Sequence, residues 1–208
     1  RLVLITDKGE PFGEENTITL AADFVISKTK GNVVVNLSTT RAIEDVAKKN
    51  GSLAFRSAVG EANVVKKMKE VNAVIGGEGS GGVIYPALHY GRDALVGIAF
   101  TLQYLTDSGK KLSEIKDELP NYFIAKEKID LKNVSPDDVI NKLMVKYSKE
   151  NINTEDGLRI DFPDYWVHFR KSNTEPIVRI ITESKTLKYS EKLSKKYFDE
   201  INKLLLTY

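Results

Sequence analysis

Short apolar runs alternate with amphipathic stretches through the first half of the chain. Apolar runs bounded by turn residues indicate buried strands, whereas apolar positions three and four residues apart indicate helices. The expected strands lie near 2–6, 32–37, 52–58 and 73–76, and the expected helices near 15–29, 41–50, 62–71 and 92–107. This alternation predicts βα units around a mainly parallel sheet.

From about Leu112 onward, strands and helices are grouped instead of alternating. Pro120 ends a short helix, and Ser135-Pro136 opens a later one. The expected strands lie near 122–129, 158–162, 165–170 and 177–183, and a long helix is expected near 187–206. This order is typical of an α+β domain with an antiparallel sheet.

The two patterns together predict the fold class and the domain boundaries. We expect an α/β domain with a mainly parallel mixed sheet, followed by a smaller α+β domain with an antiparallel sheet. The expected divisions are a remnant strand of a preceding domain at 1–10, the α/β domain at 11–120 and the α+β domain at 121–208.

Composition then excludes several classes of protein. The 208 residues include 31 Lys and Arg against 29 Asp and Glu, a balance that argues against a nucleic-acid binder held by phosphate neutralisation. The absence of cysteine excludes disulfides, thiolate catalysis and cysteine zinc sites. No uncharged stretch approaches the roughly 20 apolar residues of a membrane helix. We therefore expect a cytoplasmic protein that binds neither nucleic acid nor membrane.

The stretch GGEGSGG at 76–82 contains the spacing G-x-G-x-x-G directly after an apolar run. A dinucleotide site needs a helix to begin within the last glycines, whereas Val83 to Pro86 look extended. One interpretation is purely structural: the stretch forms a tight surface turn. The functional interpretation is a sugar-binding site. Glu78 and Ser80 offer a carboxylate and a hydroxyl, and the glycines allow a ligand to come close to the backbone.

A second polar loop, RKSNTEP at 170–176, lies between two predicted strands. Short hydroxyl and amide side chains within it, flanked by two arginines, are the ingredients of a phosphate site. The residues concerned are Arg170, Ser172, Asn173, Thr174 and Arg179. By chemistry alone, an ordinary hairpin turn explains the loop equally well.

Taken in order, these two loops resemble the sugar-binding and phosphate-binding loops of the α-D-phosphohexomutases, the family of phosphomannomutase, phosphoglucomutase and phosphoglucosamine mutase. The family motifs are G-E-x-S/N-G and R-x-S-G/N-T-E-P-x-x-R. Further stretches fit the family pattern, and the likeness covers essentially the whole chain. These are Arg56 to Glu61, Arg92-Asp93-Ala94, Asp156-Gly157 and Tyr165-Trp166.

The resemblance implies a mutase that interconverts hexose 1-phosphate and hexose 6-phosphate through a phosphoserine and a bisphosphate intermediate. It implies that Glu78, Gly79, Ser80 and, with less support, Arg56 bind the sugar. It also implies that the arginines and polar residues of the second loop bind the phosphate that is not being transferred. We expect the two loops to bind opposite ends of one hexose phosphate.

The start of the chain also fits this family. Arg1 to Gly9 resembles the segment that follows the family's metal loop, so the resemblance places the Mg²⁺-binding aspartates and the phosphorylated serine upstream. We expect the chain to be the end of domain 2 with domains 3 and 4, to lack domains 1 and 2, to bind no metal itself and to be inactive alone. A homodimer is left open.

Two departures from the family pattern bear on function. Gly82 stands where the family loop often has a histidine credited with proton transfer, and Glu61 is the candidate to replace it. Ala94 stands where the family usually has glycine. A non-catalytic module that binds sugar phosphates is the main alternative, and a nucleotide-binding domain is the third.

Overall fold

The computed structural model describes residues 1–131, 134–172 and 175–206. The chain forms two compact units, Arg1–Asn121 and Tyr122–Tyr208. Each unit has a sheet and helices of its own.

The first unit contains four strands and five helices among its described residues. In chain order they are α1 (Glu14–Lys28), β1 (Asn32–Asn36), α2 (Ala42–Lys49), β2 (Ala54–Ser57), α3 (Glu61–Glu70), β3 (Ala73–Glu78), β4 (Gly82–Ile84), α4 (Ala94–Ser108) and α5 (Leu112–Glu118). The strand order is β2-β1-β3-β4. The first three strands are parallel, and β4 pairs antiparallel with β3.

Burial explains why this unit holds together. The central strand β1 buries Val33 to Val35 completely, which fits a parallel sheet covered on both faces. Helix α1 is buried from Thr17 to Ile26 and contributes to the larger core cluster, whereas Val64 and Met68 of α3 join a smaller one. The unit is therefore a sheet with a helix layer on each face.

The second unit is an antiparallel sheet with two helices. Its elements are β5 (Phe123–Asp130), α6 (Pro136–Lys146), β6 (Asn151–Asn153), β7 (Leu158–Asp161), β8 (Tyr165–Lys171), β9 (Ile177–Ser184) and α7 (Leu187–Leu205). The strand order is β5-β9-β8-β7-β6, and every pair is antiparallel. Val167, Phe169, Val178 and Ile180 form a core cluster with residues of α6 and α7. Their neighbours along β8 and β9 face the other side of the sheet.

The structure confirms the predicted fold class and corrects some details. The strand expected near 2–6 does not form. In its place, Ile5 makes a single bridge with Pro11, and Leu2 N donates to Gly81 O. The short strands β4 and β6 were not predicted. Helix α4 begins at Ala94, two residues later than expected, because the Asp93 carboxylate caps it by accepting from Leu95 N and Val96 N. None of the described helices is both long and apolar enough to cross a membrane.

Candidate functional site

The polar ends of three parallel strands lie at one edge of the first sheet. β1 ends at Asn36, β2 at Ser57 and β3 at Glu78. Asn36 is in register with Ser57, and Val35 pairs with Gly77 directly before Glu78. The carboxyl edge of a parallel sheet is where α/β proteins bind their ligands.

The glycine stretch forms a tight turn between β3 and β4. Gly81 has a φ of +75°, a conformation that favours glycine, and a Cβ at Gly79 would overlap the Glu15 carboxylate. The next helix, α4, begins only at Ala94. The turn is therefore not a strand-to-helix phosphate cradle, which agrees with the rejection of a dinucleotide site.

Glu78 is held in place by three donors. Its side-chain Oε1 accepts from Asn36 Nδ2 at 3.0 Å and from Gly60 N at 3.1 Å, and its Oε2 accepts from Arg92 Nη1 at 3.3 Å. The residue is 6% exposed. An ionised carboxylate has about four acceptor positions, so Oε2 keeps one for a further donor. Glu78 is thus a fixed acceptor at the edge of the turn.

The rest of the turn is fixed through Thr39. Gly79 N donates to Thr39 Oγ1 at 3.0 Å, and Thr39 Oγ1 donates to Asn36 Oδ1 at 3.0 Å. Ser80 is half-buried, and its hydroxyl bonds to none of the residues that the structure describes. Ser80 therefore offers a hydroxyl that a ligand can use without breaking an internal hydrogen bond.

Arg56, expected to bind sugar, is engaged within the protein. Its guanidinium donates twice to the Glu44 carboxylate, at 2.8 Å each. The other donors reach the carbonyl oxygens of Asn36, Thr39 and Thr40 at 2.9, 2.6 and 3.1 Å. Its five N–H donors are accounted for by these contacts. The geometry gives Arg56 a positioning role: it holds the segment that carries Asn36 and Thr39.

Arg92 links the two acidic residues of the site. Its Nε donates to Glu61 Oε2 at 2.6 Å and its backbone N to Glu61 Oε1 at 3.2 Å, while Nη1 reaches Glu78. The side-chain hydrogen bond from Arg92 is the largest cause that lowers the pKa of Glu61, followed by the backbone hydrogen bond. Glu61, the candidate for proton transfer, is therefore ionised at neutral pH and bound to a cation.

In the second unit, Arg170 and His168 fix the turn at Asp156. Arg170 Nε donates to Asp156 Oδ2 at 2.8 Å, and His168 Nε2 lies 2.6 Å from the Asp156 carbonyl oxygen. Since a carbonyl only accepts, Nε2 carries the proton. Burial is the largest cause that lowers the pKa of His168, to about 4, so the ring is neutral at pH 7. His168 is fully buried and has a structural role.

The predicted phosphate residues are only partly described. Arg170 and Arg179 lie directly opposite each other on β8 and β9. The terminal nitrogens of Arg170 donate to none of the described residues, and Arg179 is exposed. Ser172 N donates to Ile177 O at 3.1 Å and closes the hairpin. Asn173 and Thr174 lie outside the described residues.

Sequence reasoning missed several residues of the site. Asn36 ends a buried strand and Thr39 follows it closely, and polar residues at that place are the signal that could have found them. Arg92 was noted as part of a motif but given no role. Its contacts with Glu61 and Glu78 depend on the fold and have no local sequence signal.

Comparison with known proteins identifies the family. The model of the phosphoglucomutase/phosphomannomutase alpha/beta/alpha domain III matches residues 13–123, more than half of the chain. The chain belongs to the phosphoglucomutase/phosphomannomutase family. The matched segment includes the glycine turn and every residue of its hydrogen-bond network.

Relatives of this family match nearly the whole chain. A phosphoglucomutase/phosphomannomutase of Thermococcus kodakarensis is 37% identical over 99% of this chain and 44% of its own length. A phosphoglucosamine/phosphogalactosamine mutase of Sulfurisphaera tokodaii is 31% identical over 83% of this chain and 38% of its own. The chain thus spans less than half the length of these relatives.

A solved structure supports the fold. The crystal structure of a phosphoglucomutase/phosphomannomutase family protein from Burkholderia thailandensis matches with a TM-score of 0.80 at 24% identity. The match covers 99% of this chain and 44% of that one. At this identity the likeness establishes the fold only.

Proposed function

We propose that this chain is the sugar-binding and phosphate-binding part of a phosphohexomutase that interconverts hexose 1-phosphate and hexose 6-phosphate. The observation that carries the proposal is the buried Glu78 carboxylate, fixed by three donors in a glycine turn with one acceptor position to spare. Such a group suits the uncharged part of a ligand, such as a sugar ring whose hydroxyl groups donate hydrogen bonds.

In this proposal, the turn binds the hexose ring. Glu78 Oε2 accepts from one sugar hydroxyl, and the Ser80 hydroxyl bonds to a neighbouring one. Gly79 is proposed to contribute through its backbone, because the Glu15 carboxylate fills the space that a side chain would occupy. A mutase must bind the hexose in two opposite orientations. The hexose presents hydroxyl groups to the turn in either orientation, so the same turn serves both half-reactions. The relatives include enzymes named for different sugars.

The hairpin in the second unit binds the phosphate that is not transferred. The terminal nitrogens of Arg170 form a planar fork that matches two phosphate oxygens, and Arg179 adds a second fork. Ser172, Asn173 and Thr174 are proposed to donate further hydrogen bonds. Fixed cations at this end neutralise phosphate charge while the other end of the sugar reacts.

Glu61 is proposed to act near the sugar as a charged partner of Arg92. A carboxylate with a lowered pKa is a weak base, so a proton-transfer role would require Arg92 to move away first. The resemblance implies Mg²⁺ and a phosphoserine donor. Within the described residues, no group of three or more acidic or histidine side chains could hold a metal ion. We assign no step to the Mg²⁺ ion. We propose that the enzyme is located in the cytoplasm.

Binding of glucose 1-phosphate to the 208-residue chain, measured by isothermal titration calorimetry, tests the proposal. We expect glucose 1-phosphate to bind more tightly than glucose. We expect Arg170→Ala to weaken binding at least about tenfold, because hydrogen bonds to charged groups contribute about 1.5–3 kcal/mol. The matched control is Lys188→Ala, which removes an exposed cation from α7.

Two results would contradict the proposal. Equal affinity for glucose and glucose 1-phosphate would show that no phosphate site exists. Unchanged affinity in Arg170→Ala would remove the phosphate role of the hairpin. Binding of glucose 1-phosphate to the chain, combined with no mutase activity in the longer native protein that contains it, would favour the alternative of a non-catalytic sugar-phosphate module.

A further inference from the structure

Three cationic side chains form a row across three neighbouring strands of the second sheet. Lys128 on β5 pairs with Arg179 on β9, and Arg179 pairs with Arg170 on β8. Directly paired residues share a face of the sheet. The row therefore runs from Arg170, inside the sheet, to Lys128 on the edge strand.

This row lies on the sheet face opposite the helices. Phe169 and Ile180, which alternate with the row residues along β8 and β9, belong to the core cluster formed with α6 and α7. Lys128 and Arg179 are exposed. The cations of the row are therefore accessible to a ligand from solvent.

The row carries more positive charge than its neighbours neutralise. Side chains that are paired in this way have Cβ atoms about 5 Å apart, and like charges so placed destabilise a sheet. Asp156 binds Arg170 through Nε. Across the described parts of the chain, the side chains of Lys128 and Arg179 make no ion pair or hydrogen bond. A bound dianion would relieve this repulsion.

We propose that Lys128 is a third cation of the phosphate site and binds the phosphate dianion of the hexose phosphate together with Arg170 and Arg179. This inference rests on the proposed function of the hairpin. A phosphate monoester carries a charge of about −1.5 to −2 at pH 7. The two arginine forks match pairs of oxygens, and the flexible ammonium of Lys128 meets the remaining charge as a point cation.

An edge-strand lysine has another common role, which is to prevent strands of different molecules from pairing. Lys126, two residues away on the same face of β5, serves that role equally well, and it pairs with Ile181 rather than with an arginine. Only Lys128 continues the row. Comparing variants of Lys126 and Lys128 therefore distinguishes protection of the edge strand from phosphate binding.

Calorimetric titration of Lys128→Ala and Lys126→Ala chains with glucose 1-phosphate, and with inorganic phosphate as the simpler probe, tests the inference. At low salt we expect Lys128→Ala to weaken binding of both ligands about three- to fivefold, as for an exposed charge pair. We expect Lys126→Ala to change it less than about twofold, and the Lys128→Ala effect to shrink at high salt because screening removes the same attraction. Lys128→Arg should retain the affinity.

The outcomes separate this inference from the proposed function. If Lys128→Ala binds like the unaltered chain while Arg170→Ala loses binding, Lys128 is not part of the site but the phosphate site stands. If both lysine variants lose affinity equally, the loss reflects the lower net positive charge of the protein and not a specific contact, and the inference fails. If the unaltered chain binds neither ligand, the proposed function fails as well. Circular dichroism spectra of the variants check that the fold is kept.

Discussion

Gly82 leaves the space that the side chain of Arg92 fills. A Cβ at position 82 would lie 2.7 Å from Arg92 Cδ and 3.2 Å from its Cγ, closer than ordinary packing allows. The same side chain extends to Glu61 and to Glu78. The glycine at this position thus permits the arginine that holds the carboxylates of Glu61 and Glu78.

Replacing Gly82 with alanine should displace Arg92 and weaken its contact with Glu61. Because that contact is the main cause of the lowered Glu61 pKa, we expect the pKa of Glu61 to rise toward the ordinary value of a glutamate in Gly82→Ala. Carbon-detected NMR titration of the Glu61 carboxyl measures this shift.

A double-mutant cycle supplies the control. Arg92→Ala should raise the Glu61 pKa by itself, and adding Gly82→Ala to it should have no further effect, since the two changes act through one side chain. An unchanged Glu61 pKa in Gly82→Ala would show that Arg92 adapts to the added methyl group without losing its partner.

The Glu78→Gln change should destabilise the protein even though it keeps the side-chain shape. The new amide group would place hydrogens against Arg92 or against the donors of Asn36 and Gly60, because an amide offers only one acceptor oxygen. We expect a loss of about 2–3 kcal/mol in the free energy of unfolding, measured by urea denaturation. Glu70→Gln, on an exposed part of α3, is the control and should change it by less than about 0.5 kcal/mol. A similarly small change in the free energy of unfolding for Glu78→Gln would contradict the three-donor hydrogen-bond network around Glu78.

The hydrophobic pattern was sufficient to predict the fold because strand and helix periods differ clearly in this chain. The βα alternation around Val33 to Val35 and the grouped strands after Leu112 indicated the two kinds of sheet. Short elements escaped prediction. β4 and β6 have three residues each, too few to show a period, and the first residues make only an isolated bridge despite their apolar run.

The site was predicted less completely, for a physical reason. The residue types at the turn, Glu78 and Ser80, could be chosen from their chemistry. Whether a group is available to a ligand depends on what else it bonds. Arg56 looked like a ligand-binding cation, yet its donors reach Glu44 and three carbonyl groups at and just after the end of β1. Strand register, which aligns Lys128 with Arg179, is likewise set by the tertiary fold.

Arg56 is expected to affect stability more than ligand chemistry. Arg56→Ala leaves the carbonyl groups of Asn36, Thr39 and Thr40 without their donor and leaves Glu44 unpaired, so we expect a loss of about 2–4 kcal/mol in unfolding free energy. Arg56→Lys should not restore it, because an ammonium cannot reproduce the planar set of five donors. Hydrogen exchange of the amides in β1 and β3 locates the effect. Unchanged stability with lost affinity for glucose 1-phosphate would instead support direct sugar binding.

The neutral, buried His168 should make the second unit sensitive to mild acid. An unfolded histidine titrates near 6.5, whereas the folded pKa is about 4, so between these values the unfolded chain binds a proton that the folded chain does not. The free energy of unfolding is therefore highest above pH 6.5 and falls toward pH 4, by on the order of 1.4 kcal/mol per pH unit. Trp166, the one tryptophan of the chain, is buried in the same sheet and reports unfolding by fluorescence.

Urea titrations of the His168→Gln chain at pH 7 and pH 5 isolate this contribution. Glutamine can still donate to the Asp156 carbonyl but does not titrate, so the loss of stability between the two pH values should be about 2 kcal/mol smaller than in the unaltered chain. His89→Gln removes the other histidine, which is exposed beside Asp93, and should leave the pH dependence of the Trp166 signal unchanged. If His168→Gln keeps the full pH dependence, carboxylates rather than the buried imidazole control the acid sensitivity of this sheet.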